Sequence, residues 1–213
     1  MRGLIEKADH GLFYLINRDW QIDFFDFLMP ILSNLNYFIV PFGLLLIFLL
    51  VKKNVKLRVL AISILLLILV SDNLCTLVLK KMFNRPRPYH SVSNIHMYYR
   101  FTKEWSTTPQ LKEKVYGKSH SLPSCHATNI FAVAILLSFY FKRFWPVFYL
   151  IALLVGYSRV YLGDHFPLDV FVGGVAGTLI GLLFALVSKR VIGMVKEKIR
   201  AFRNERVELC YYF

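Results

Sequence analysis

Acidic residues are scarce in this 213-residue chain. Thirteen aspartates and glutamates face 26 lysines and arginines, a formal charge of +13. A surplus of that size suits anionic partners, either lipid headgroups or nucleic acid. No nucleic-acid-binding motif is present, so lipid is the better match. Cysteine is scarce too. Cys75, Cys125 and Cys210 are an odd and scattered set without metal-ligand spacing, which argues against a disulfide framework and a metal centre. Met1 to Lys7 lacks a basic start leading into an apolar core and a small-residue cleavage site, so no cleaved signal peptide is expected. Internal repeats and low-complexity stretches are missing as well. Apolar residues are abundant: 56% of the chain is hydrophobic and 16% aromatic. That composition points to an integral membrane protein, and the length allows a single membrane-embedded domain, 1–213.

Taken in order, residues 1–21 mix apolar and charged positions and read as an amphipathic interfacial helix with Trp20 as an anchor. Ile22 to Leu35 is apolar but short, with Asp23 and Asp26 at its start. It is either re-entrant or the lead-in to the first span. Five spans are expected: Phe38 to Val51 with the residues just before it, Leu57 to Leu79, Ser124 to Phe141, Phe144 to Leu162, and Leu168 to Val187. The 22–35 segment is a candidate sixth. The fold class is therefore an all-α helical bundle of five to six transmembrane helices. Gly173, Gly177 and Gly181 recur every four residues, a stripe that lets helices approach closely. Asp72 and Asn73 lie inside the second span and suit bonds between helices.

Charge sets the topology. Basic residues with no chemical role fall at 52–58, at 142–143 and along the tail 189–213; alternating spans put all three on one face. The positive-inside rule makes that face cytoplasmic. The long connection 84–123 then lies on the opposite face, although it too is basic, with Arg100, Lys103, Lys112, Lys114 and Lys118 against Glu104 and Glu113. An anionic substrate would account for that charge. With Tyr98, Tyr99, Phe101 and Trp105 the segment reads as a partly ordered substrate lip at headgroup level.

The same parity brings the chemistry-bearing residues to that face. Lys80 ends the second span, with Arg87-Pro88 beyond it. Ser124 opens the third, within Pro123-Ser124-Cys125-His126. Arg159 closes the fourth, within Ser158-Arg159, and His165 stands before the fifth, with Asp169 one turn later. Ser124 is a good N-cap, so the N–H groups of Cys125, His126 and Ala127 would be free to face an anion. Lysine and the arginine forks suit a phosphate. Pro167 favours a helix start near Phe166. Asp169 then faces one imidazole nitrogen of His165 and leaves the other as a nucleophile, while His126 can protonate a leaving oxygen. Taken singly, each piece could be an ordinary basic flank, a water-bonded histidine or an interfacial salt bridge. His10, His90, His96 and His120 match no motif; His90 and His120 are possible pocket neighbours. Cys75, in mid-span, reads as core.

Lys80-x6-Arg87-Pro88, Pro123-Ser124-Cys125-His126 and Ser158-Arg159-x5-His165-x3-Asp169 together resemble the three-part signature of the type 2 phosphatidic acid phosphatase family. That family also includes vanadium haloperoxidases and glucose-6-phosphatase. The resemblance implies a metal-independent lipid phosphate phosphatase without cofactor. His165 would be the nucleophile, Asp169 its orienting carboxylate and His126 the general acid. Lys80, Arg87, Ser124, Arg159 and the backbone at Cys125 would bind phosphate. Cys125 departs from the pattern, which has glycine there, and narrows the site unless its side chain points away. A nucleophilic cysteine is a minor alternative. The expected substrate is a phosphomonoester or pyrophosphate on a membrane lipid, lipid A 1-phosphate first, with undecaprenyl pyrophosphate and phosphatidylglycerophosphate as alternatives. The expected setting is a bacterial inner membrane with the site facing the periplasm and no obligate protein partner. A non-enzymatic protein that binds or transports anionic lipids is the reading of another class.

Overall fold

Long apolar runs interrupted by charge at intervals of about one bilayer thickness dictate helices, because only internally bonded backbone is tolerated in hydrocarbon. The computed structural model describes residues 2–99, 101–108 and 120–211. The helices are α1 (Arg2–Tyr14), α2 (Asp23–Ser33), α3 (Asn36–Val51), α4 (Val55–Phe83), the short α5 (Pro88–Ser91), α6 (Cys125–Tyr140), α7 (Trp145–Tyr161) and α8 (Pro167–Tyr211). A π turn, Leu15–Asp19, extends α1, and another, Leu74–Leu79, lies inside α4. Among the described residues, three helical stretches are long and apolar enough to cross a membrane: Val55–Phe83, Lys142–Tyr161 and Pro167–Phe202. The pair α2 and α3, bent by 50° at their junction, makes a broken span or a re-entrant loop. Five spans were expected. By length α6 falls short: its 16 residues rise only about 24 Å, against a hydrocarbon core of about 30 Å.

The centre is helix on helix. Leu46, Leu60, Leu67, Ala132, Leu136 and Ala185 form one buried cluster joining α3, α4, α6 and α8. The glycine stripe explains how closely α8 lies on α6. A Cβ at Gly177 would come within 2.2 Å of the Thr128 carbonyl oxygen, and one at Gly173 within 2.6 Å of that of Ser124. Asp72 also bonds between helices: Asn129 Nδ2 donates to its Oδ1 at 3.0 Å, and Ser71 Oγ donates to Asn129 Oδ1 at 2.6 Å. Asn73, by contrast, donates to Leu69 O within its own helix.

The structure adds detail to two readings and corrects a third. The N-terminal helix also packs inward on one side: Phe13 and Asn17 are fully buried, and Asn17 donates to the carbonyls of His96 and Tyr161 at 2.8 Å each. Phe13 of α1 and Ile16 of the π turn account for that packing, because they join the cluster around Phe166 in the turn before α8. The all-α class also gains a small sheet. Within the long connection, β1 (Ile95–Tyr99) and β2 (Glu104–Thr108) pair antiparallel, with Tyr98 opposite Trp105. Of the expected basic lip, Arg100, Lys112, Glu113, Lys114 and Lys118 lie outside the described residues. The correction concerns cysteine. Cys75 and Cys125 form a disulfide with 5.6 Å between their Cα atoms. Sequence spacing could not reveal that pair, because α4 and α6 bring it together across a separation of 50 residues.

Candidate active site

The turn between α7 and α8 is the focus. Gly163 takes a left-handed φ of +77°, and the N–H groups of Asp164 and His165 both donate to Arg159 O at 3.1 Å. That tight turn folds His165 inward, 2% exposed, before Pro167 opens α8. Asp169, one turn on, is fully buried. Its Oδ2 lies 3.6 Å from His165 Nδ1 and accepts the Phe166 N–H at 2.8 Å. Ser121 Oγ donates to the same carboxylate and lies 3.4 Å from His165 Nδ1. With Nδ1 facing a carboxylate, the proton of a neutral ring sits there and Nε2 keeps its lone pair.

Behind Asp169 runs a chain of charge that the motif residues do not contain. Arg85 Nη1 donates to Asp169 Oδ1 at 2.9 Å, and its Nη2 donates to Asp9 Oδ2 at 2.6 Å. Asp9, buried on α1, also accepts the Leu168 N–H at 2.8 Å, a first-turn group with no partner in its own helix. The Arg85 guanidinium lies 4.2 Å from the centre of the Phe166 ring, and His10 stacks on that ring at 4.8 Å. The N-terminal helix therefore braces the His165 turn from behind.

Cations gather in front. Arg159, 3% exposed, points Nη2 at Asp164 Oδ2 (2.5 Å), and its Nη1 donates to Ser33 Oγ. Arg87 Nη1 lies 3.8 Å from Asp164 Oδ1. The charges of Arg87, Arg159 and Lys80 all bear on His165. Burial first, then Arg87 and Arg159, pushes the His165 imidazole well below its ordinary range, so it is held neutral.

Helix α6 supplies the third wall. Ser124 caps it, accepting the Ala127 N–H at 3.5 Å, and its own N–H donates to Asp169 O at 3.0 Å. That bond ties the start of α6 to the first turn of α8 and places half-buried His126 beside the same corner. The Cys125 side chain is committed to Cys75 on α4. Only its backbone is left for an anion, and a nucleophilic role for its sulfur is ruled out in this form.

A cavity of about 300 Å³ adjoins the site, lined among others by Asp26, Tyr37, Tyr98, Lys103, Trp105 and Leu162. It shares the end of α2 with the arginine cluster, since Ser33 bonds Arg159 and Asn34 faces the cavity. His96 stacks on Trp105 at 4.2 Å on its wall, while His90 is buried beside Tyr89. His120 pairs with Pro86 in an isolated bridge. Sequence reasoning missed Arg85, Asp9, Ser121, Ser33 and Asp164. Of these, Arg85 and Asp164 adjoin motif residues and carried a local hint.

Comparison with known proteins fits this geometry. Residues 61–192 match the model of the PAP2 superfamily. A lipid A 4'-phosphatase of Bacteroides thetaiotaomicron is 28% identical over 132 residues, 61% of this chain and 54% of that protein. The chain thus spans about half the length of that relative. The crystal structure of Aquifex aeolicus LpxE aligns with a TM-score of 0.59 at 30% identity, covering 82% of this chain and 92% of that one. A transmembrane PAP2-type phosphatidylglycerolphosphate phosphatase from Bacillus subtilis aligns with a TM-score of 0.65 at 22% identity, covering 88% of each chain, and shows the shared fold.

Proposed function

Because the chain belongs to the PAP2 superfamily, we propose that it is a lipid phosphate phosphatase working through a phosphohistidine. His165 Nε2 attacks phosphorus as the bond to the lipid oxygen breaks, and protonated His126 gives its proton to that leaving oxygen. Neutral His126 then takes a proton from water, whose oxygen attacks phosphorus and frees His165. The sum is lipid phosphate and water giving lipid alcohol and orthophosphate. Lys80, Arg87, Ser124, Arg159 and the backbone N–H of Cys125 hold the phosphoryl oxygens, where positioning and charge carry most of the catalysis. The observation behind this reading is His165 itself. It is buried, its pKa is lowered by burial and by the charges of Arg87, Arg159 and Lys80, and its Nδ1 faces Asp169, which Arg85 links to Asp9.

The substrate we put first is lipid A 1-phosphate. The cavity, with Lys103 and four aromatic side chains (Phe27, Tyr37, Tyr98 and Trp105) on its walls, gives a large polar headgroup somewhere to lie. Undecaprenyl pyrophosphate and phosphatidylglycerophosphate are the alternatives to test beside it. The site faces the periplasm of a bacterial inner membrane in this reading. Basic clusters at 52–58, 142–143 and the tail support that orientation. A disulfide beside the site supports it too, since such bonds persist in oxidising compartments.

The test is phosphate release from a panel of these lipids by purified protein in detergent with a chelator present. Release by the wild type, lost in His165→Ala while lipid binding persists, is expected. Binding without release from any lipid would favour a non-enzymatic lipid-binding protein. Loss of release on chelation would overturn the metal-independent mechanism.

A further inference from the structure

Asp164 has no part in the steps above, yet its carboxylate engages the guanidiniums that a phosphate needs. Oδ2 faces Arg159 Nη2 at 2.5 Å and Oδ1 faces Arg87 Nη1 at 3.8 Å, one oxygen to each arginine. A phosphate bound by both forks would divide two of its oxygens in the same way. The backbone enforces the position. Asp164 follows the left-handed Gly163, and its N–H is bonded to Arg159 O, which folds it back onto that arginine. The turn has little room to shift, because even a Cβ at Gly163 would come within 2.7 Å of Ile95 Cγ2. The Asp164 side chain is only 16% exposed, so solvent screens it weakly from Arg159.

We propose that Asp164 is a built-in rival of the phosphate. It occupies Arg87 and Arg159 in the empty site and opposes retention of orthophosphate after hydrolysis. The proposal rests on the phosphatase reading. In that reading Lys80, Arg87 and Arg159 together surround a product dianion, and product release commonly limits turnover. A carboxylate sharing two of the three cations must be displaced from them, or sit beside the dianion, in every phosphate-bound state. Both routes weaken binding. A residue that only aligned the arginines would have the opposite effect when neutralised, since disordered guanidiniums bind phosphate less well.

The sign of one affinity change therefore decides. Purified protein in detergent is titrated calorimetrically with inorganic phosphate, then with vanadate. Asp164→Asn and Asp164→Ala are expected to bind each at least about tenfold more tightly than wild type, a change of about 1.4 kcal/mol. Asp164→Glu, which keeps the charge, should stay near wild type. Damage to the fold cannot produce tighter binding, and two neutral variants guard against one that fails to fold. Inhibition of turnover by added phosphate gives a second reading, with at least about tenfold less needed for Asp164→Asn. Unchanged or weaker binding in the neutral variants overturns the proposal. A wild type that binds phosphate but hydrolyses no lipid overturns the phosphatase reading instead, and the calorimetry still judges Asp164.

Discussion

At the scale of single residues, the proposed mechanism makes the charge state of His165 govern when the site can work. Burial and the neighbouring arginines lower its pKa, so the folded protein disfavours the imidazolium. The neutral form persists as pH falls through the ordinary histidine range near 6.5 and is lost only below it. The acid limb of kcat/KM is accordingly expected below pH 6.5, since that profile reports the free enzyme. Arg87→Gln removes a cation that opposes protonation and should move the limb upward while lowering the rate. A wild-type limb at or above 6.5, or a downward move in Arg87→Gln, would contradict the assignment. Arg85 is a positioning residue, because it acts through Asp169. Arg85→Ala should reduce kcat on the order of tenfold to a hundredfold with KM little changed, the signature of a loss confined to the transition state. Arg85→Lys should recover part of it, and an effect carried wholly by KM would place Arg85 in substrate binding instead.

The elements carry the precision of the site. The relation of His165 to Asp169 was legible because Pro167 announces a helix start and four residues make a turn. Ser124 announced its helix in the same way. The brace from Asp9 was not legible, since it joins positions 159 residues apart and depends on where α1 packs. The disulfide escaped for a similar reason: the cysteine that replaces the family glycine looked like an obstruction and is a covalent tie between α4 and α6. Cys75→Ser or Cys125→Ser should cost about 2–4 kcal/mol, seen as a lower unfolding temperature in detergent that reductant reproduces in the wild type. Indifference to both would remove the tie from the account. Gly177 tests the other contact of α6. Gly177→Leu must push against the Thr128 backbone and should destabilise by about 1–3 kcal/mol, lowering activity with it. Gly43→Ala, with nothing within 4 Å, should be neutral. Equal behaviour of the two variants would mean that the close approach of α8 to α6 does not matter.

For the whole molecule, hydropathy conveyed membrane character but not the span count. The 16-residue α6 and the 50° elbow between α2 and α3 do not follow the length of one straight span each, which a hydropathy window cannot resolve. Likewise the small hairpin emerged from a connection whose sequence read only as basic and aromatic. Orientation is open to direct labelling. In a Cys210→Ala background, Ser93→Cys on the hairpin side should react with a membrane-impermeant thiol reagent in intact cells. Arg143→Cys should react only after permeabilisation. The reverse pattern would put the site in the cytoplasm. One claim underlies all of this: an imidazole at position 165 takes the phosphoryl group. Protein incubated with lipid A carrying a radiolabelled 1-phosphate, in chelator, can be quenched and the labelled residue mapped. The account predicts acid-labile label on His165, accumulating in His126→Ala and absent from His165→Ala. Hydrolysis by the wild type with label on another residue, or with label surviving in His165→Ala, would contradict it.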